Sequence, residues 1–219
     1  MTRDILCRLL ISGFLVFAIS QAASASEEMD EPLVWDFDVF LDGRKVGKHL
    51  FMVSETDGVR QVESDATFDV RVFLIPVYRY KHSAVERWSG NCLMEIDART
   101  NNGGKKTVVS GYQNEAGFLL STGERGVELP GCVMTFAYWN SEFLSRTRLL
   151  NPQTGEYVDV HVTDAGEEML NVRGQTVEAT RFKLSAGNLD LTLWYSSTNR
   201  WLALESEIEG GHVIRYSLS

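Results

Sequence analysis

The sequence predicts an all-β protein: a single strongly curved antiparallel sheet or incomplete β-barrel, wound as a meander of hairpins, with one short helical turn near 140–145. Three observations carry this expectation. Apolar side chains recur at period two after residue 33, turn-forming residues interrupt the chain mostly every 8–15 residues, and only 133–145 departs from the pattern.

The first 25 residues read differently. Arg3 and Arg8 precede an apolar run, Leu9 to Ile19, broken only by Ser12 and Gly13. Ala23-Ser24-Ala25 then forms a small-x-small cleavage site before Ser26-Glu27-Glu28. A run of 11 residues is well short of the roughly 20 that a helix needs to cross a bilayer. The expected organisation is a cleaved secretory signal peptide at 1–25, a flexible segment at 26–33 and one all-β domain at 34–219. No cysteine sits at the cleavage point for lipid attachment, and Cys7 leaves with the leader.

Two cysteines remain, Cys92 and Cys132, in a chain expected to reach an oxidising compartment. A bridge between them would close a 41-residue loop, worth roughly 4 kcal/mol in the chain-entropy model. The alternative is a pair of buried free thiols packed as small hydrophobes.

In the first strand Trp35, Phe37, Val39 and Leu41 alternate with Asp36, Asp38 and Phe40, and Asp42-Gly43 turns the chain. The clearest alternation spans 61–72. There Val62, Ser64, Ala66, Phe68, Val70 and Val72 oppose Gln61, Glu63, Asp65, Thr67, Asp69 and Arg71, as in a strand with one wet face. Further turn signals stand at 101–104, 114–117, 151–155, 164–166, 173–174, 186–188, 196–199 and 209–211, giving about a dozen strands. Within 133–145, Asn140 is suited to cap a helical turn holding Glu142, Phe143 and Leu144. A sheet of this length must curl, split or close. Charges at Glu178, Arg181, Lys183, Glu205 and Glu207 argue against a lipid-facing barrel.

Composition excludes several function classes. Apolar residues make up 44% and charged residues 23%, which is ordinary globular usage and not that of a disordered chain. Net charge is −9, or −10 once the leader's two arginines and one aspartate are removed. An acidic chain without a basic run is not expected to bind nucleic acid or an anionic membrane surface.

One strand concentrates the chemistry. In 77–88, alternation puts Tyr78, Tyr80, His82, Ala84, Glu86 and Trp88 on one face and Arg79, Lys81 and Arg87 on the other. His82 and Glu86 stand about 13 Å apart along a strand, so each needs a partner from elsewhere in the fold. Tyr78, Tyr80, His82, Glu86 and Trp88 are the candidate ligand-binding residues, with the two ionisable groups meeting a polar head. The alternative is an interior polar network that specifies register. Other sets carry less. His161 lacks metal-ligand spacing, and His49 and His212 sit near turns without a motif. Asp36 and Asp38 read as a solvated face, and Trp194, Tyr195 and Trp201 as cross-strand packing. No Gly-x-Ser-x-Gly elbow, HExxH, phosphate loop or dinucleotide fingerprint is present. No catalytic residue, metal ligand or cofactor is therefore assigned, although scattered carboxylates leave no local signature.

The run Tyr78-x-Tyr80-x-His82-x-x-x-Glu86-x-Trp88, followed by Asp97-Ala98-Arg99-Thr100-Asn101, Phe136-Ala137-Tyr138-Trp139-Asn140, Leu149-Leu150-Asn151 and Trp194-Tyr195, resembles a family of exported bacterial proteins known only as a domain of unknown function. The resemblance covers about 34–219 and implies a periplasmic setting, with secretion as the alternative, but no activity. In shape the expected meander is similar to periplasmic carriers of acyl chains, the lipoprotein localisation factors, and no carrier residue transfers. The expectation is a non-catalytic periplasmic binding or carrier protein for a lipid-like or apolar ligand, not an integral membrane protein once the signal is cleaved. The alternatives are a structural or assembly factor contacting another envelope protein through a sheet edge or 133–145, and a carboxylate-dependent envelope hydrolase.

Overall fold

The computed structural model describes residues 32–72, 75–123, 126–208 and 210–219; the expected leader, and the segment 26–33 apart from its last two residues, lie outside the described residues. The strands are β1 (Leu33–Leu41), β2 (Arg44–Thr56), β3 (Val59–Val72), β4 (Ile75–Ser89), β5 (Cys92–Asn102), β6 (Lys105–Gln113), β7 (Phe118–Ser121) and β8 (Gly126–Leu129). After a 3₁₀ turn at Ser141–Ser145 come β9 (Arg148–Leu150), β10 (Tyr157–Asp159), β11 (His161–Val172), β12 (Gln175–Ala186), β13 (Leu189–Tyr195), β14 (Trp201–Ile208) and β15 (His212–Leu218).

Thirteen strands form one antiparallel sheet in the order β11-β12-β13-β14-β15-β1-β2-β3-β4-β5-β6-β7-β8. Neighbours in the sheet are neighbours in the chain except at β15–β1, where the last strand returns to the first, with Val39 opposite Tyr216. β8 and β11 end the order unpaired with each other, so the curl stops short of a barrel. The expected fold class holds, with a few more strands than the turn signals suggested.

Local chemistry explains the hairpins. At Asp42-Gly43 (φ 48° and 76°) and Arg173-Gly174 (φ 52° and 78°) both central residues are left-handed, the form whose twist matches the flanking strands. The signal at 164–166 is not a turn between strands but a bulge inside β11. Asp164 Oδ1 accepts from the Gly166 amide at 2.8 Å, Gly166 adopts φ 84°, and pairing with β12 resumes at Glu167–Thr180. The Asn140 side chain accepts from the Glu142 amide at 3.2 Å and caps the 3₁₀ turn as expected.

β3 shows the expected alternation: Val62, Ala66 and Phe68 are buried, while Gln61, Glu63, Asp65 and Thr67 are exposed. The segment between β8 and β11 supplies the rest of the core. Val133, Met134, Phe136, Ala137, Phe143, Leu149 and Leu150 are buried in one cluster with Phe37, Phe51, Trp88, Ile96, Phe118, Leu193 and Trp201 of the sheet. This segment is a plug in the concave face. It is tied to β5 by the Cys92–Cys132 disulfide and by the Leu93 amide donating to the Val133 carbonyl at 2.9 Å. Among the described residues no helix is long and apolar enough to cross a membrane.

Candidate functional site

Antiparallel register decides which side chains meet on the concave face. One cross-strand row runs Thr100 (β5), His82 (β4), Ala66 (β3), His49 (β2) and Phe37 (β1). A second runs Tyr80, Phe68, Gly47, Val39, Tyr216 and Leu204. Gly47 has a steric reason: a Cβ there would collide with the Thr67 carbonyl and the Phe68 ring. Phe68 uses that room to stack on Tyr80, with ring centres 4.9 Å apart.

Both histidines of the first row are buried without an acid bonded to them. His49 places Nε2 2.8 Å from Ser64 Oγ and Nδ1 3.4 Å from the Tyr216 hydroxyl, and it stacks on Phe51 at 4.1 Å. His82 places Nδ1 2.9 Å from Thr100 Oγ1, while its Nε2 has no partner among the described residues. Desolvation lowers His49 to about 3 and His82 to about 4, so both imidazoles are neutral at physiological pH.

These rings border a cavity of about 290 Å³ between the sheet and the plug. Its apolar wall includes Phe51, Phe68, Phe136, Leu191, Leu204 and Ile214. Its polar groups are His49, His82, Ser64, Ser206, Asn102, Asn151, Gln153 and the tyrosines Tyr78, Tyr80, Tyr138 and Tyr216. Burial pushes the Tyr80, Tyr138 and Tyr216 hydroxyls well above their ordinary range, and neighbouring tyrosines push Tyr80 and Tyr216 further. The tyrosines therefore crowd together as neutral donors and acceptors. Tyr78 sits at the rim, 38% exposed, and donates to Asn102 Oδ1 at 2.7 Å.

Glu86 lies behind this cavity. It borders a small chamber of about 30 Å³ that shares Phe51, Ser64, His82, Phe136 and Pro152 with the main one. Its Oε2 accepts from Trp88 Nε1 at 3.1 Å and from Thr135 Oγ1 at 3.3 Å. Desolvation outweighs these bonds and raises the carboxyl to about 7. Glu86 is the one buried acid among the described residues.

Of the five candidate residues, the structure brings Tyr78, Tyr80 and His82 to the main cavity and Glu86 to the chamber behind it. Trp88 does not line either: it is fully buried and packs edge-to-face on Trp139 of the plug at 5.6 Å. Alternation alone places Trp88 on the concave face, but the plug covers that end. His49 belongs to the site although no motif marks it, and the alternation Gly47, His49, Phe51, Val53 is the signal that could have found it. Tyr138 and Tyr216 arrive through the plug and the β15–β1 pairing. His161 is exposed beside a shallow outer depression with Lys183, Asp190, Glu205 and Glu207, and Glu205 there is ion-paired with Arg215 at 3.1 Å.

An unclosed β-barrel with a plugged concave face and a neutral internal cavity is the class of protein this geometry defines. Residues 37–219 match the family model described as Domain of unknown function (DUF6134), and the chain belongs to that family. No curated protein matches the chain. Among solved structures it is similar to the beta-barrel-like protein of domain of unknown function DUF1849 from Brucella abortus. The TM-score is 0.64 and identity 7%, covering 86% of this chain and 95% of that one. At that identity the likeness is one of fold.

Proposed function

We propose that this is a non-catalytic, exported periplasmic protein that binds or carries a small apolar or lipid-like molecule in the concave cavity. The observation that carries the reading is the cavity, whose described lining sets nine apolar side chains beside eleven uncharged polar ones, among them four tyrosines and His82 with its free Nε2. Apolar area combined with polar groups that can orient a ligand characterises ligand pockets. At about 290 Å³ it accepts one small molecule or one end of a single chain, since drug-sized sites run roughly 300–1,000 Å³. A disulfide in the chain accords with an oxidising compartment. In this reading Tyr78, Tyr80 and His82 contact the ligand with His49, Tyr138 and Tyr216, and Glu86 lends polarity from behind.

Among the described residues no carboxylate lines the main cavity, where a glycoside hydrolase would need a pair of acids. The assembly-factor reading loses one of its two surfaces, because Val133, Met134, Phe136, Ala137 and Phe143 of 133–145 face the core. The test is native mass spectrometry of protein purified from the periplasm, with solvent extraction of the same sample. The expected result is a reproducible bound mass released by solvent. It should be diminished by Ile208→Trp, which narrows the cavity mouth at a position already 39% exposed. A bare protein mass with nothing extractable overturns the reading.

A further inference from the structure

We infer that the cavity selects an uncharged amphiphile, one whose apolar chain ends in a hydroxyl or carbonyl oxygen, and excludes the same chain ending in a carboxylate, phosphate or ammonium group. The inference rests on the cavity being a ligand site. Its ground is the absence of charge from the wall. Twenty side chains among the described residues line the cavity and none of them is Asp, Glu, Lys or Arg, in a chain where 23% of residues are charged.

A buried ionic head must be paired or fully hydrogen-bonded. Proteins commonly meet an anion with an arginine, a lysine, a helix N-terminus or free backbone amides. Among the described residues none of these faces the cavity. The strands behind it, β1–β4 and β13–β15, each have hydrogen-bonded neighbours on both sides, which occupies their amides. The two imidazoles could supply positive charge only if protonated, and their burial opposes that. A cationic head finds no carboxylate among the described wall residues; Glu86 stands behind His82 and Ser64, with one oxygen already bonded to Trp88 and Thr135.

What the wall does offer suits a neutral oxygen. Tyrosine hydroxyls and a neutral imidazole each donate or accept as the partner requires. Tyr80 and Tyr138 have no hydroxyl partner among the described residues, and His82 retains a free Nε2. Burying a head that satisfies these groups leaves no unpaired charge and few unpaired polar atoms.

The experiment is isothermal titration of the mature protein at pH 8 with 1-octanol, octanoate and octylammonium, which share one chain and differ in head charge. Octanol is expected to bind at least about thirtyfold more tightly than either ion, in keeping with the cost of an unpaired buried charge. Equal or tighter binding of octanoate or octylammonium overturns the selection while leaving the cavity a ligand site. Binding of none of the three overturns both readings. A second variant checks the cause: Leu189→Lys sets an ammonium at the half-buried rim. It should raise octanoate affinity relative to octanol at least tenfold (on the order of one partly desolvated ion pair), and an unchanged ratio overturns the inference.

Discussion

His49 and His82 stand on either side of Ala66 in one row of the concave sheet, two strands apart, and neither is hydrogen-bonded to an acid. The alanine methyl leaves space for both rings. Burial without counter-charge then holds them neutral, at about 3 and about 4 against an ordinary 6.5.

That arrangement ties stability to pH. Between about 4 and 6.5 the unfolded chain binds two protons that the folded chain refuses, so their contribution is complete above 6.5 and is lost on acidification. Glu86 acts oppositely. Raised from 4.5 to about 7, it keeps a proton in the folded state that the unfolded chain releases, and stability falls as pH rises through that window. From pH 4.5 to 6.5 the two histidines outweigh the one glutamate by about one proton, or about 1.4 kcal/mol per pH unit. Urea denaturation should show stability rising with pH across this range. In His82→Gln one term is gone and the slope should fall towards zero. An unchanged slope would mean His82 titrates normally in the folded protein.

The Glu86 carboxyl is costly when ionised yet serves two donors. Glu86→Gln keeps an oxygen for Trp88 Nε1 and Thr135 Oγ1 and removes the ionisation. It should exceed the wild type by less than about 1 kcal/mol at pH 5 and by on the order of 3 kcal/mol at pH 8. Glu86→Leu strands both donors and should lose about 1–3 kcal/mol per group at pH 5. If Glu86→Gln were no better at pH 8 than at pH 5, the buried-acid account would fail.

How much of this was legible beforehand depends on the range of the interactions. β3 and β4 could be read residue by residue, because period-two alternation is local and one face is wet. Asn140 as a cap and Arg173-Gly174 as a turn are local too. The 164–166 signal predicts a turn because Asp-x-Gly looks the same at a hairpin and at a bulge; only the continuing pairing with β12 tells them apart. The β15–β1 closure that brings Tyr216 beside His49 is a register between chain ends, and nothing local encodes it. The plug is likewise irregular, so no periodicity announces that Tyr138 joins the cavity or that Trp139 covers Trp88.

The plug is held partly by one tyrosine. Tyr195 of β13 donates its hydroxyl to the Tyr138 carbonyl at 2.7 Å, and the Tyr138 ring lines the cavity. Tyr195→Phe leaves that carbonyl without this donor and should lower stability by about 1–2 kcal/mol. Because the change reaches Tyr138, it should also weaken binding of 1-octanol. A stability loss with octanol affinity intact would confine Tyr195 to packing.

The disulfide gives the sharpest test of the plug. Cys92 begins β5, and Cys132 precedes the first buried residue of the plug, Val133, whose carbonyl takes the Leu93 amide. The closed loop contains β5 to β8, so the bond both shortens the unfolded chain and fixes where the plug joins the sheet. Reduction, or the double change Cys92→Ser and Cys132→Ser, should cost about 4 kcal/mol in the chain-entropy model. If the bond also locates the plug, hydrogen exchange should quicken at Leu93 and at Leu150, whose amide donates to the Met134 carbonyl at 2.8 Å. Exchange at β2 and β3 should change less, because those strands lie outside the loop and keep both neighbours. Uniform quickening across the whole sheet would show that the bond acts on global stability alone. No quickening at Leu150 would show that Phe143, Leu149 and Leu150 hold the plug by burial without it.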